Sequence, residues 1–203
     1  MHPRLKQALN SWWFPTLIFG GLYLTGLHTP VIVFFQRGVL ATGLFQPDTE
    51  SVGAADRADA VTVNLAALRM TDSEGQPVDP NRLLGRVVFL NLWTSWCPPC
   101  LAEMPNIDAL YADYSEDDRI AFVLLNVEAD PTKGRALVQQ KEYRFPVYYL
   151  QAALPAQLGT GTLPTTLVIS RTGEVAVRQE GMARYDTDGF RALLNRLAAQ
   201  SPD

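Results

Sequence analysis

The chain has little of what builds small stapled or metal-bound folds. Of its 203 residues, two are cysteine and two are histidine. Two cysteines cannot staple a secreted mini-fold, and they supply only half of a four-ligand zinc site. The histidines, His2 and His28, lie in or before the apolar N-terminal stretch and do not complete one. Charge is sparse too, at 19% of residues and a net −4, while 47% of residues are hydrophobic. That balance excludes a globally disordered chain. Charge is missing altogether from residues 7–36. Residues 1–46 hold three basic side chains (Arg4, Lys6, Arg37) and no acid, a charge of +3, so the other 14 basic residues face all 21 acids, a charge of −7. A body of that sign offers no basic footprint for a nucleic-acid partner.

Residues 12–35 are dominated by Trp, Phe, Leu, Ile, Val and Gly. As a single helix they measure roughly 36 Å, enough to cross a hydrocarbon core of about 30 Å. The stretch has no polar face of the kind a buried helix of a soluble domain shows. It is too long for a cleaved signal peptide, although Ala41 and Gly43 offer small residues at a cut site. A retained transmembrane anchor fits better. Pro30 is expected to kink or end the helix, leaving residues 12–27 as the clean span and residues 31–45 in or near the outer interface. Trp12 and Trp13 sit where an interfacial aromatic belt belongs. Arg4, Lys6 and the α-amino group outweigh Arg37, which places the N-terminus in the cytoplasm and the body on the periplasmic or extracytoplasmic side.

Residues 1–46 thus read as a membrane anchor, 47–60 as a linker without apolar periodicity, and 61–203 as the folded body. Within the body, residues 61–70 and a turn at 72–75 look like a strand entering a hairpin. Residues 87–93 (VVFLNLW) form a near-continuous apolar run, as a strand buried on both faces requires. Residues 98–114 carry Leu101, Met104, Ile107, Leu110, Tyr111 and Tyr114 on one side of a helix. A second central strand covers 120–127, a helix 132–143, a hairpin 165–170 with 175–179, and a closing helix places Phe190, Leu193, Leu194 and Leu197 at helical spacing. Strand–helix–strand followed by a hairpin and a helix implies an α/β fold with a mixed sheet.

Both cysteines lie in Trp96-Cys97-Pro98-Pro99-Cys100, after a buried strand and at the start of a helix. With Cys97 as N-cap, Pro98 falls at the first helical position, where its missing N–H costs nothing. The Cys97 sulfur then faces unpaired backbone N–H groups and the positive end of the helix dipole, which stabilise a thiolate. Cys100, one turn on, closes a disulfide with it and is the more enclosed of the two. Cys97 is therefore the attacking sulfur and Cys100 the resolving one. A purely structural disulfide across so short a loop gains little chain-entropy stabilisation.

The stretch VVFLNLWTSWCPPCLAEMPNIDALY, with TLPTTLVIS further on, resembles the thioredoxin superfamily, and within it the membrane-anchored TlpA/ResA-type thiol–disulfide oxidoreductases. The resemblance covers about residues 61–200. It implies a thioredoxin-like fold, a four- or five-stranded mixed sheet flanked by helices, with an N-terminal β-hairpin extension and a transmembrane helix before it. It implies an extracytoplasmic dithiol reductant of disulfide-containing client proteins, fed by a transmembrane electron-donor protein. No cofactor or metal is implied, since the Cys97–Cys100 disulfide is itself the redox group. Pro164 matches the family's cis-proline, Pro105 the proline that kinks the active-site helix and frees the Leu101 carbonyl. Trp96, Pro98, Pro99, Leu163 and Pro164 are the expected substrate contacts. Trp93 and Trp96 match aromatics that shield the sulfurs, although Trp93 also fits a core position.

Glu103 matches an acid that such proteins carry just after the motif, three residues from Cys100 on one helical face. Its two readings are a proton shuttle or a solvated carboxylate at a helix N-terminus. Asn91 stands where thioredoxin carries a buried aspartate, and Leu124 aligns with that aspartate's lysine partner, so the usual acid–base pair is absent. That strengthens the case for Glu103. Other functions fare worse. An oxidase is not separated from a reductase by inspection, and apocytochrome c is one candidate client. A metal-delivery module would use C-x-x-x-C and a distant histidine; a thiol peroxidase would surround its cysteine with P-x-x-x-T-x-x-C.

Overall fold

The computed structural model describes residues 13–47, 61–159 and 161–201. The expected linker lies outside them apart from Pro47, as do Arg4, Lys6 and Trp12.

In order, the elements are α1 (Trp13–Leu24), α2 (His28–Ala41), β1 (Met70–Thr71), β2 (Val87–Trp93), α3 (Pro98–Tyr114), β3 (Ile120–Asn126), α4 (Thr132–Lys141), β4 (Val147–Leu150), β5 (Thr165–Ile169), β6 (Val175–Glu180) and α5 (Asp188–Ala199). The six strands form one sheet in the order β1-β4-β3-β2-β5-β6. Strands β2, β3 and β4 run parallel; β5 is antiparallel to β2, β6 to β5 and β1 to β4. The sheet is therefore mixed, with β2 central.

Alternation along β2 divides the core. Val87, Phe89 and Trp93 join a cluster with Met104, Ile107 and Leu110 of α3 and Phe190, Leu193 and Leu194 of α5. Val88, Leu90 and Leu92 point the other way, into a cluster with Val63, Leu65, Leu68 and Leu83 from the segment ahead of β2. That second face explains why residues 61–70 are not an extended strand. Leu65–Ala67 is a short 3-10 turn that separates an isolated bridge of Thr62 to Glu174, just ahead of β6, from Met70–Thr71, which pairs with β4. Inward packing of Val63, Leu65 and Leu68 takes precedence over pairing, and Pro77 and Pro80, which lack N–H donors, shorten the return arm to a bridge at Thr71 and Pro77. The expected N-terminal β-hairpin extension is reduced to that bridge. Strand β4, absent from the sequence reading, follows Pro146 and is buried only at alternate residues.

Among the described residues no single helix is long and apolar enough to cross a membrane. The apolar stretch is a bent pair, Pro15–Leu24 and His28–Ala41, at 107° to each other. The break falls at Gly26, whose φ of 72° suits glycine, not at Pro30. Pro30 sits in the first turn of α2, where a missing N–H breaks no helical bond. Helix α2 docks on α3 through Val33, Leu40 and Ala102, with Leu101 and Met182 alongside.

Candidate active site

Strand β2 ends at Trp93, the chain turns through residues 94–96, and α3 begins at Pro98 with Cys97 as its N-cap. The turn is held from outside by Glu128. Its carboxylate accepts from the Ser95 backbone N–H at 3.0 Å, the Ser95 hydroxyl at 2.7 Å and the Asn126 amide at 2.7 Å. The sequence reading missed this clamp. Its signal is an acid two residues beyond the end of β3, facing an exposed-loop serine from the neighbouring parallel strand.

Cys97 and Cys100 are joined in a disulfide of S–S 2.00 Å. The Cys100 N–H donates to the Cys97 sulfur at 3.2 Å, so the N-cap contact that would hold a thiolate is in place. Cys97 is 4% exposed and Cys100 fully buried. Pro98 and Pro99, half-buried, form the surface beside them. Trp96, next to Cys97, is 68% exposed, whereas Trp93 is entirely buried in the cluster that holds both cysteines.

The Leu163–Pro164 peptide is cis. Pro164 is buried and Leu163 half-buried. Since Leu92 pairs with Thr165, the Leu163–Pro164 loop lies beside the C-terminal end of β2, the end from which the cysteine motif leaves the sheet. Pro105 stands inside α3 with its ring exposed. Lacking an N–H, it leaves the Leu101 carbonyl without a helical donor. Arg37 Nη2, from α2, donates to that carbonyl at 3.3 Å.

Glu103 is fully buried, which removes the solvated reading. Alternation puts Asn91 on the α3 side of β2, and its amide donates to Glu103 Oε1 at 2.8 Å and to the Thr166 hydroxyl at 2.8 Å. The Ala183 backbone N–H donates to Glu103 Oε2 at 3.1 Å. Burial dominates these hydrogen bonds and pushes the Glu103 carboxyl up from 4.5 to about 8. Tyr185, also fully buried, is held neutral well above its ordinary range, first by burial and then by the nearby Glu103 charge. Asn91 pairs across the sheet with Leu124, so no lysine stands there. The role of Asn91 toward Glu103, and those of Thr166, Ala183 and Tyr185, were missed in the sequence. An asparagine inside a strand buried on both faces is itself a signal, because a buried amide needs partners.

A mixed sheet with a Cys-x-x-Cys at the mouth of its central parallel strand, capping a helix beside a cis-proline loop, defines a dithiol redox protein of thioredoxin-like fold. Comparisons with known proteins agree. The family described as Redoxin matches residues 53–194, and the chain belongs to that family. Within it the chain is of the ResA/TlpA type. It is 30% identical over 127 residues to a thiol-disulfide oxidoreductase ResA of Halalkalibacterium halodurans, covering 62% of this chain and 72% of that one. It is 34% identical over 107 residues to a ResA of Bacillus thuringiensis, covering 52% of this chain and 61% of that relative's length. A structure of a putative thiol:disulfide interchange protein DsbE from Chlorobium tepidum superposes with a TM-score of 0.58 at 23% identity, covering 68% of this chain and 99% of that one. That last likeness concerns the fold. With the Cys97–Cys100 pair, the relatives make this chain a thiol–disulfide oxidoreductase.

Proposed function

We propose that the chain is a membrane-anchored protein disulfide reductase, acting outside the cytoplasmic membrane on disulfide-containing client proteins. The observation that carries this reading is the Cys97–Cys100 pair at the N-terminus of α3 beside the cis Leu163–Pro164 loop, with Glu103 buried one helical turn beyond Cys100 and its carboxyl pushed up to about 8. In the reduced protein, the Cys97 thiolate attacks one sulfur of a client disulfide. A mixed disulfide forms and the client's other sulfur leaves as a thiolate, which takes up a proton. Cys100 then loses its proton and attacks the Cys97 sulfur, forming the intramolecular disulfide and releasing the second client sulfur as a thiol. Two electrons pass from the dithiol to the client; of the two protons the client thiols take up, one comes from solvent, to which Cys97 gave its own on becoming a thiolate, and one comes from Cys100 by way of Glu103. Glu103 in its ionised form accepts the Cys100 proton, and because its carboxyl is pushed up to about 8 it gives the proton back readily to a thiolate. The Leu163–Pro164 loop, Trp96, Pro98 and Pro99 form the surface on which an extended client segment is held. A transmembrane electron donor restores the dithiol.

Anchoring is supported by α1, whose Leu17, Phe19, Tyr23 and Leu24 are all exposed around an uncharged helix. Apocytochrome c thiols before haem attachment are one client class consistent with a reductant in this position. The decisive experiment traps the client. Cys100→Ala in the full chain leaves the mixed disulfide at Cys97 unresolved, and mass spectrometry identifies the partner. Cys97→Ala abolishes reduction of a model disulfide; turnover equal to the unaltered protein overturns the mechanism.

A further inference from the structure

Helix α2 has two faces that ask for different surroundings. Thr29, Val33, Arg37 and Leu40 lie along one side at helical spacing; Val33 and Leu40 are buried on α3, and Arg37 grips the Leu101 carbonyl. The opposite side carries Val31, Phe34, Phe35, Gly38 and Val39, with Ile32 at its margin and no charge. Phe34 is 73% and Phe35 68% exposed. The outward face of a helix on a soluble body is normally polar. Here Arg37, though exposed, is tied to the α3 side by its bond to the Leu101 carbonyl, and the apolar rings face away from α3.

From this we infer that α2 is an interfacial strut: its Val31/Phe34/Phe35/Val39 face lies in the lipid surface while its Arg37 face holds the active-site helix. The inference rests on the anchoring proposed above. Three features favour lipid over another occupant. The apolar face continues directly from α1 within a run, residues 7–36, that contains no charged side chain. The two helices meet at 107°, so if α1 stands along the bilayer normal, α2 lies near the membrane plane. At the elbow Tyr23 and His28 stack with ring centroids 5.3 Å apart, and such amphipathic rings favour the headgroup level. An in-plane helix buries its apolar side by about 5–10 Å. Because the other side is fixed to α3 at the carbonyl that Pro105 leaves free, the Cys97–Cys100 site is held at a set height and orientation over the bilayer. Clients are thereby limited to disulfides that reach that height.

The test uses the full chain in vesicles of phosphatidylethanolamine and phosphatidylglycerol. The native cysteines are kept as their disulfide, and an environment-sensitive fluorophore is attached at Phe19→Cys or at Phe35→Cys. Reduction of a model disulfide after labelling reports that each variant is folded. The expected result is that the probe at 19 is quenched most by lipid spin-labelled near the chain end. The probe at 35 is quenched about twice as strongly by lipid labelled near the headgroup as by the deep label, as a shallow apolar face requires, and is shielded from aqueous iodide. Deep quenching at 35 overturns the inference, since α2 would then be buried in the hydrocarbon. Access of iodide to 35 overturns it, since the face would be in water. Shielding at 35 without lipid quenching also overturns it, in favour of a second copy covering the face. Loss of lipid quenching at 19 marks the separate failure of the anchoring reading.

Discussion

Glu103 concentrates the chemistry of the molecule at the scale of one side chain. Its carboxyl has gained no cationic partner, and two neutral hydrogen bonds fall short of offsetting the loss of water. The folded protein therefore holds a proton that the unfolded chain gives up at its ordinary 4.5. The stability this proton carries is fully present below the unfolded value and is lost as pH rises through the folded value of about 8. Between those limits stability falls by at most about 1.4 kcal/mol per pH unit. Glu103→Gln is expected to remove that slope, so that the variant overtakes the unaltered protein in urea titrations toward pH 8. Parallel slopes for the two proteins would show that Glu103 ionises normally. The same substitution is expected to slow client release by about a hundredfold, the lower range of general acid–base effects. It should also flatten the pH profile of Cys100 alkylation in the reduced protein. An unchanged profile returns Glu103 to a purely structural role. None of this burial is visible in a sequence, where Glu103 is one acid among 21.

At the scale of elements, legibility followed the amount of local information. Strand β2 and helix α3 were read to the residue, because a seven-residue apolar run and a proline-started helix each carry their own boundary. Strand β4 was not, since four residues after a proline acquire strand character only by pairing with β3 and β1. The break between α1 and α2 was displaced for a related reason. Proline marks where a helix is impeded, whereas Gly26 marks where the chain actually turns. Helix α4 carries a sharper test of packing. A Cβ added at Gly134 would lie 2.6 Å from the Asn126 amide nitrogen and 3.1 Å from Glu128 Oε2, the atoms that clamp the Ser95 turn. Alanine would add about 1 kcal/mol of helix preference, but displacing the clamp costs roughly 1–3 kcal/mol. Gly134→Ala is thus expected to lower the urea midpoint, while Gly134→Ala combined with Asn126→Ala should lose little beyond Asn126→Ala alone. Additive losses would show that the two sites are independent.

The whole molecule joins an apolar N-terminal helix pair to the sheet-bearing body, and the joint is small. Both large core clusters, one on each face of the sheet, lie within residues 63–198. Among the described residues, Val33 and Leu40 are the buried apolar side chains that reach across from the N-terminal helices, onto Ala102, Leu101 and Met182, while Arg184 donates to the Phe45 and Ala41 carbonyls and Arg37 to that of Leu101. The hydrophobic effect scales with area removed from water, so the body depends little on the N-terminal helices for folding. A fragment of residues 61–203 is accordingly expected to be monomeric, soluble without detergent and cooperatively folded. Its loss relative to the full chain is the partial exposure of three side chains, about 2 kcal/mol, and the bonds of Arg37 to the Leu101 carbonyl and of Arg184 to the Phe45 and Ala41 carbonyls, about 1 kcal/mol each, whose places water takes. Urea unfolding of the fragment and of the detergent-solubilised chain measures the difference. Reduction of a small disulfide should survive in the fragment, because the cysteines, Glu103, Asn91 and the Leu163–Pro164 loop all belong to the body. A fragment that aggregates or fails to unfold cooperatively would show instead that α2 is part of the core, and the charge split between +3 and −7 would then fall inside one folding unit.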